Sequence, residues 1–316
     1  MMYIYIDLLT QFRCAMCGEC CRTDWLVTVD EAGYRRNAAF FAQTGNQEEF
    51  QQAFVLLPGS STGEHAYIAK QPGGDCWFLE DTHRCRLHRT AGHSHLDSVC
   101  QLFPRYPMNT TRGIELTLSF SCPEVLRLAC RTAPLEVIRS EQPPFALPPD
   151  SFVAEVYPEQ QPPHTPLGHY FELEHHFCDI MQCRGLTMKQ RLLLLRDTVL
   201  EIISLEPDEF FRQGLDGILN ANYQLLDIKA ASTGKASVSM ADLLLENFFV
   251  NLIFKKIFYL YGLEHSMKLL LVIWRQIARS RGNSTDADTD FARTRAAVMT
   301  AEFRYSHNRR ELLKGC

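Results

Sequence analysis

Cys14-Ala15-Met16-Cys17-Gly18-Glu19-Cys20-Cys21 is the stretch that decides how the rest of this chain is read. Four of the twelve cysteines fall within these eight residues, and five more follow before position 131. A folded core does not require thiols packed so tightly in sequence, whereas a metal ion or an iron–sulfur cluster does. Cysteines at i, i+3 and i+6 let a tight, glycine-containing loop turn three sulfurs inward, as C-x2-C-x2-C runs do around clusters. Zinc ribbons use the shorter C-x2-C half of the same device. Adjacent side chains tend to diverge, so Cys20 and Cys21 are expected to serve different sites, with one reaching a second metal or standing spare.

The set is completed downstream by Cys76, Cys85, Cys100 and Cys122, in the spacing C-x8-C-x14-C-x21-C-P. The metal-ligand candidates are therefore Cys14, Cys17, Cys20, Cys21, Cys76, Cys85, Cys100 and Cys122. They suit one cluster plus a zinc, two zincs, or one cluster with unused thiols. The proline after Cys122 is similar to the distal cysteine of ferredoxin runs and favours iron–sulfur, but spacing alone does not choose between iron and zinc. Cys130, Cys178, Cys183 and Cys316 lie outside the pattern and read as buried or surface thiols. His83, His88, His93 and His95 fall between Cys76 and Cys100, and His88 is the best placed to substitute for a ligand or to stand behind one. Arg105 could hold a cofactor carboxylate bidentately or pair with an acid of the fold. Glu172 and His175 have the spacing of di-iron carboxylate helices, but no matching second helix is apparent, so a solvated polar face is the reading there.

At 316 residues the chain can bury a core without disulfides. A net charge of -5 with a pI near 6.1 gives no case for nucleic acid or an anionic membrane. The N-terminus lacks the basic and long apolar regions of a signal peptide, and Glu246, Lys255 and Lys256 interrupt the most apolar stretch, so no membrane insertion is expected. A cytoplasmic protein follows, in which clustered cysteines are ligands rather than disulfides.

Three parts are expected: a cysteine-cluster domain over 1–133, a proline-rich linker or arm over 134–166, and an α-helical domain over 167–316. Nine of the fifteen prolines fall in the middle part, which excludes helix and central strand. In the first part, short strands are expected at Trp25–Asp30, Ala66–Lys70 and Ile114–Ser121, with helix over Glu31–Phe54 broken at Thr44-Gly45-Asn46 and a loop at Pro58–Gly63. A hairpin should carry Cys76 and Cys85 on its two arms. In the last part, Thr187 caps one helix, Pro207–Ile228 makes two shorter helices around Gly214 and Gly217, and Ser237 or Ser239 caps a run through Tyr261. Further helices follow at Leu263–Arg279 and Asp286–His307. The aromatic run Phe248, Phe249, Phe254, Phe258, Tyr259 and Tyr261 reads as core rather than as a methylammonium cage. The fold class is α+β: an irregular, cysteine-rich N-terminal domain with a few short strands, then helices.

The C-x2-C-G-E-C-C run followed by Trp25 and Val27-Thr28-Val29-Asp30 resembles the YkgJ-type cysteine-cluster family, described as zinc- or iron-chelating. Cys85-Arg-Leu-His88, Cys100-Gln-Leu-Phe-Pro-Arg105 and Leu118-Ser-Phe-Ser-Cys122-Pro-Glu124 resemble, more narrowly, its flagellin lysine-N-methylase (FliB) group. Softer similarity continues at Leu186–Leu192, Glu246–Asn251 and Phe303–Asn308. The resemblance implies a [4Fe-4S] cluster on the eight cysteines named above. It also implies methyl transfer from S-adenosylmethionine to a lysine of a protein or peptide. The residues themselves offer no G-x-G-x-x-G loop and no C-x3-C-x2-C run, because Asp24 stands where that run needs its third cysteine. A non-catalytic, zinc-stabilised binding module is the competing reading.

Overall fold

The computed structural model describes residues 1–57, 63–147, 151–231, 238–282 and 286–306. Its strands are β1 (Tyr3–Ile6), β2 (Thr28–Asp30), β3 (Phe54–Leu56), β4 (Glu64–Ile68), β5 (Arg105–Thr110), β6 (Gly113–Leu118), β7 (Val137–Ser140) and β8 (Ala154–Val156). The helices of the N-terminal part are α1 (Leu8–Gln11), α2 (Glu31–Gln43), α3 (Gln47–Ala53), α4 (Arg86–Ala91), α5 (Ser98–Leu102) and α6 (Pro123–Ala129). Those of the C-terminal part are α7 (Tyr170–Gln182), α8 (Met188–Ile203), α9 (Phe211–Ala231), α10 (Met240–Phe254), α11 (Ile257–Leu260), α12 (Leu263–Arg281) and α13 (Ala287–Ser306). The class is α+β. Among the described residues no helix is long and apolar enough to cross a membrane.

The chain forms two compact units, and they do not divide at 133/134 and 166/167. Residues 13–104 and 146–151 make the smaller unit; 1–12, 105–145 and 152–316 make the larger. The reason is β1, which nothing in the N-terminal sequence announced. It pairs parallel with β6 and antiparallel with β7, inside a five-stranded sheet of order β7-β1-β6-β5-β8. Residues 1–12 are thereby part of the body that the helices build. The proline-rich stretch supplies the two edges of this sheet, β7 and β8, rather than a free linker. Edge positions are where prolines are tolerated, because a missing N–H there breaks no ladder. Pro148 and Pro149 lie outside the described residues.

In the larger unit α10 is buried on almost every side, as an apolar run with little periodicity requires. Three of its buried polar residues tie it to its neighbours. Glu246 accepts from Arg184 and from Arg191, whose Nη1 is 2.8 Å away. Asn247 donates to Ala129 O at 2.8 Å and Asn251 to Leu118 O at 2.9 Å, tying the helix to α6 and β6. The helix does not run on to Tyr261. It breaks at Lys255 and Lys256, whose ammonium groups turn inward: Lys255 to Glu302, Lys256 to Glu115 (2.7 Å) and Glu174. Lys256 takes the left-handed conformation (φ 65°) to do so. Phe248, Phe249, Phe254 and Phe258 are core, as expected. Two short helices around Gly214 and Gly217 are replaced by one, α9, and Gly214 is where Leu205 packs against it, a Cβ there falling 2.7 Å from Leu205 Cδ2. Thr187 caps α8 through a capping box with Gln190, and Ser239 caps α10. Ser237 and His307 lie outside the described residues.

The smaller unit holds a three-stranded antiparallel sheet, β2-β4-β3, with α2 and α3 against it. The expected break of the helical stretch at Thr44–Asn46 is present. So is the turn at Pro72–Gly74, closed by Gly74 N donating to Gln71 O. Most of the Pro58–Gly63 loop lies outside the described residues. Phe41, Phe50, Phe54 and Phe78 interlock in the core, the rings of Phe50 and Phe54 stacked at 4.8 Å. Each such pair adds roughly 0.5–1.5 kcal/mol beyond its buried area. Cys21, Cys76, Cys85 and Cys100 pack against this cluster, so the thiols stand on a rigid apolar floor.

Candidate metal centre

The cysteine loop turns through two left-handed residues, Met16 (φ 51°) and Gly18 (φ 74°). Met16 N donates to Cys14 Sγ at 3.4 Å, the i+2 to i amide–sulfur contact of a metal knuckle. Gly18 is obligatory for a second reason. A Cβ on it would stand 2.9 Å from the carbonyl oxygen of His83 and 3.1 Å from Leu79 Cδ1. The loop thus lies directly on the Glu80–Arg84 turn. Arg22 fastens the two: it donates to Cys17 O (3.1 Å), pairs with Glu19, and meets His83 Nδ1.

Cys20 and Cys21 close the loop in a 3-10 turn, and they do not diverge as expected. Their sulfurs are 4.0 Å apart, and Cys21 also meets Cys76. Cys76 N donates to Cys21 O at 2.8 Å, which brings in the second half of the cysteine set. Gln71 spans the following turn, its Nε2 donating to the carbonyls of Cys76, Trp77 and Leu79 at 3.1, 3.2 and 2.8 Å. Lys70 Nζ donates to Thr23 O at 2.7 Å, and Thr23 Oγ1 to Cys20 O at 3.0 Å. Leu79 and Cys85 bridge across the expected hairpin, but Cys85 then caps α4, its Sγ accepting from His88 N at 3.5 Å. Cys100 sits on α5.

The electrostatics define the grouping. Contact with Cys20 and Cys76 raises the Cys21 thiol, and the same contacts lower Cys20 and Cys76, Cys76 to about 7. Burial acts against both of those decreases, and Lys70 adds to the lowering of Cys76. Cys85 is raised, first by burial. Cys100 is raised well above the usual range by burial and then by the charge of Cys76, with Cys20 and Cys85 contributing. Five thiols therefore feel one another: Cys20, Cys21, Cys76, Cys85 and Cys100. Thiolates brought this close would repel one another, and a bound cation would relieve them.

Among the described residues no three His, Cys, Asp or Glu side chains stand close enough around one point to hold a metal ion as they lie. The donor chemistry nevertheless fits zinc or an iron–sulfur cluster, since both take soft thiolates. Cys14 is exposed and Cys17 half-buried on the knuckle. Cys122 belongs to the larger unit, at the start of α6 before Pro123. Arg105, also in the larger unit, lies with its guanidinium over the rings of Phe12 (5.1 Å) and Phe145 (4.5 Å).

Glu172 and His175 are on the solvated side of α7, Glu172 pairing with Arg212. His176, by contrast, is buried against Asn222 and Tyr223. His88 stands beside a candidate ligand only through its main chain; its ring packs on His93 at 5.6 Å. Sequence reasoning missed Arg22, Lys70 and Gln71, polar residues adjoining the cysteines whose role is to hold main-chain carbonyls. It also missed Asp97, three residues before Cys100, which is buried with Oδ2 lacking a partner. Burial and then the charge of Asp30 push that carboxyl up to about 7.

A thiol-rich unit packed on an apolar core is what this geometry defines. Residues 13–122 match the model of the CxxCxxCC family, described as a "Putative zinc- or iron-chelating domain". Among curated proteins, the lysine-N-methylases of Salmonella choleraesuis and Salmonella typhimurium are each 28% identical over 121 residues, 37% of this chain and 29% of theirs. The flagellar biosynthetic protein FliU of Salmonella muenchen is 26% identical over 121 residues, 37% of this chain and 70% of that protein. The matched stretch thus spans under a third of the two lysine-N-methylases. No solved structure matches.

Proposed function

We propose that this protein is an S-adenosylmethionine-dependent lysine N-methyltransferase acting on a protein or peptide in the cytoplasm, with a [4Fe-4S] cluster in the smaller unit. The observation that carries the reading is the grouping of Cys21, Cys76, Cys85 and Cys100 on one apolar floor, with Cys20 beside Cys21. The names of the relatives, lysine-N-methylase, support it over the same stretch. The ligands of that cluster are proposed to come from those five thiols and the knuckle pair Cys14 and Cys17.

Bound there, the cluster supplies positive charge among the thiolates and a Lewis-acidic position for the donor. The chain's own part is to hold that position still: Arg22, Lys70 and Gln71 fix the main chain that carries the sulfurs. Arg105 is the proposed anchor of the donor's carboxylate. Its guanidinium lies over the rings of Phe12 and Phe145.

A second reading, a zinc-stapled module without catalysis, is favoured by one observation: Cys76, Cys85 and Cys100 pack into the core of Phe78, Leu79 and Leu87, where a saturated thiolate site would act as a cross-link. Incubation of anaerobically purified protein with methyl-labelled S-adenosylmethionine and a random-flank lysine peptide library separates the two. Label recovered as N-methyllysine is the expected result. Zinc-loaded protein that transfers no label would overturn the methyltransferase.

A further inference from the structure

The Glu80–Arg84 turn that supports the cysteine loop also borders a groove. Cys85 caps α4, which puts Arg86 and Arg89 at i and i+3 on one face of that helix, with Arg84 just before it. Together with Trp77, Leu79 and Glu80, the three arginines line an open groove of about 920 Å³ within the smaller unit. Two of them are held by acids. Arg89 forks onto Glu80 through Nε and Nη2, at 3.2 and 2.5 Å. Arg86 Nη2 donates to Glu49, which also accepts from Trp77 Nε1 at 3.4 Å, so one carboxylate fixes both the guanidinium and the indole. Arg86 Nε and Nη1 and Arg89 Nη1 have no acceptor among the described residues. Arg84 is exposed, and its side chain makes no hydrogen bond or ion pair among the described residues.

Glu80 reports what a carboxylate meets in this groove. The bond from Arg89 first, and the charges of Arg89, Arg86 and Arg84, hold it below its ordinary range, so all three guanidiniums act on one place. Asp81 lines the groove as well but pairs with none of the arginines. Guanidiniums fixed along one edge, with N–H groups to spare, suit the two oxygens of a further carboxylate. Trp77 adds an apolar wall on which aliphatic stems can lie. The groove is built on the segments that carry the thiols. Trp77 follows Cys76, and Cys85 separates Arg84 from Arg86. Gln71, part of the same lining, holds the carbonyls of Cys76 and Leu79 at 3.1 and 2.8 Å.

We propose that this groove seats an acidic peptide, the flank of the acceptor lysine, with its Asp or Glu side chains paired to Arg84, Arg86 and Arg89. The lysine part of this inference rests on the methyl-transfer reading above; the recognition of carboxylates stands on the groove alone. Arg84 is the specificity-determining residue, because its guanidinium is the one committed to no acid of the fold. Arg86 and Arg89 share their charge with Glu49 and Glu80 and supply the fixed part of the seat.

The test uses the full chain, purified anaerobically, and synthetic peptides with one central lysine flanked by glutamates, by glutamines or by lysines. Calorimetric titration at low salt should show the glutamate peptide binding about tenfold tighter than the glutamine peptide, the gain of a charge-assisted pair. Arg84→Glu alters an exposed side chain and leaves the fold intact. It should abolish that preference, leave the glutamine peptide's affinity unchanged, and bind the lysine-flanked peptide better than wild type does, a reversal that loss of structure would not produce. With methyl-labelled S-adenosylmethionine, kcat/KM should rank the peptides in the order of their affinities. Equal affinity of wild type for the glutamate and glutamine peptides, or a preference that survives Arg84→Glu, would overturn the groove. A short single-stranded DNA bound more tightly than the glutamate peptide would overturn the peptide as its occupant. Label transferred without regard to flanking charge would overturn the groove and leave the methyltransferase. Charge-dependent binding that Arg84→Glu abolishes, with no label transferred, would overturn the methyltransferase and leave the groove.

Discussion

Replacing Gly18 by alanine tests the central packing of the cysteine loop. Gly18 has φ 74°, and the added Cβ would lie 2.9 Å from a main-chain oxygen, that of His83, which cannot swing aside as a side chain could. The left-handed conformation alone costs an L-residue roughly 1–2 kcal/mol. Forcing the Glu80–Arg84 turn away from the loop adds roughly 1–3 kcal/mol, the ordinary cost of overpacking. Gly45 is the internal control, with nearly the same φ of 75° in the same unit and nothing within 4 Å of its Cβ position. Gly45→Ala therefore carries the backbone cost by itself. The difference between the two variants, about 1–3 kcal/mol, isolates the contact between loop and turn. Urea unfolding in reductant and chelator, followed by the fluorescence of Trp25 and Trp77 in this unit, measures it. Equal losses in the two variants would refute the close approach.

Three further outcomes follow from the larger and smaller units. Glu246→Gln should destabilise by roughly 3–5 kcal/mol, because it leaves the buried guanidinium of Arg191 without its counter-charge; a loss under about 1 kcal/mol in denaturant titration would contradict the pairing. His176 is held to about pKa 4 by burial, below its unfolded value, so its contribution is complete above about pH 6.5 and is lost as pH falls toward 4. Stability should decline by about 3 kcal/mol over that window, and His176→Phe should flatten the slope. Lys70→Met removes both the bond to Thr23 O and the charge that helps to lower Cys76, so alkylation of Cys76 by iodoacetamide at pH 7 should slow several-fold in the metal-free protein. An unchanged rate would separate Lys70 from that thiol.

The cysteine pattern made the site legible because sulfur ligands are rare and their spacing carries geometry. Helix starts were legible where a side chain states them, as at Asp30, Thr187 and Ser239. Three kinds of information were not local. The pairing of β1 with β6 joins residues over a hundred positions apart, so the N-terminus could not be seen as part of a sheet. The break at Lys255 and Lys256 is set by Glu302, Glu115 and Glu174, distant acids that reward turning the ammonium groups inward. Adjacent cysteines at 20 and 21 were expected to diverge, whereas contacts set by the distant Cys76 go with sulfurs 4.0 Å apart.

Metal analysis of anaerobically purified protein, wild type beside Cys21→Ser and Cys76→Ser, is the most direct test of the account. The thiols of Cys20, Cys21 and Cys76 form the centre of the grouping, with Cys21 between the other two. Wild type should carry iron and acid-labile sulfide in equal amounts, with a broad visible absorption from thiolate-to-iron charge transfer, and both variants should lose most of each. Iron and sulfide that persist undiminished in both variants, or wild-type protein that binds neither iron nor zinc, would contradict a metal centre built on these sulfurs.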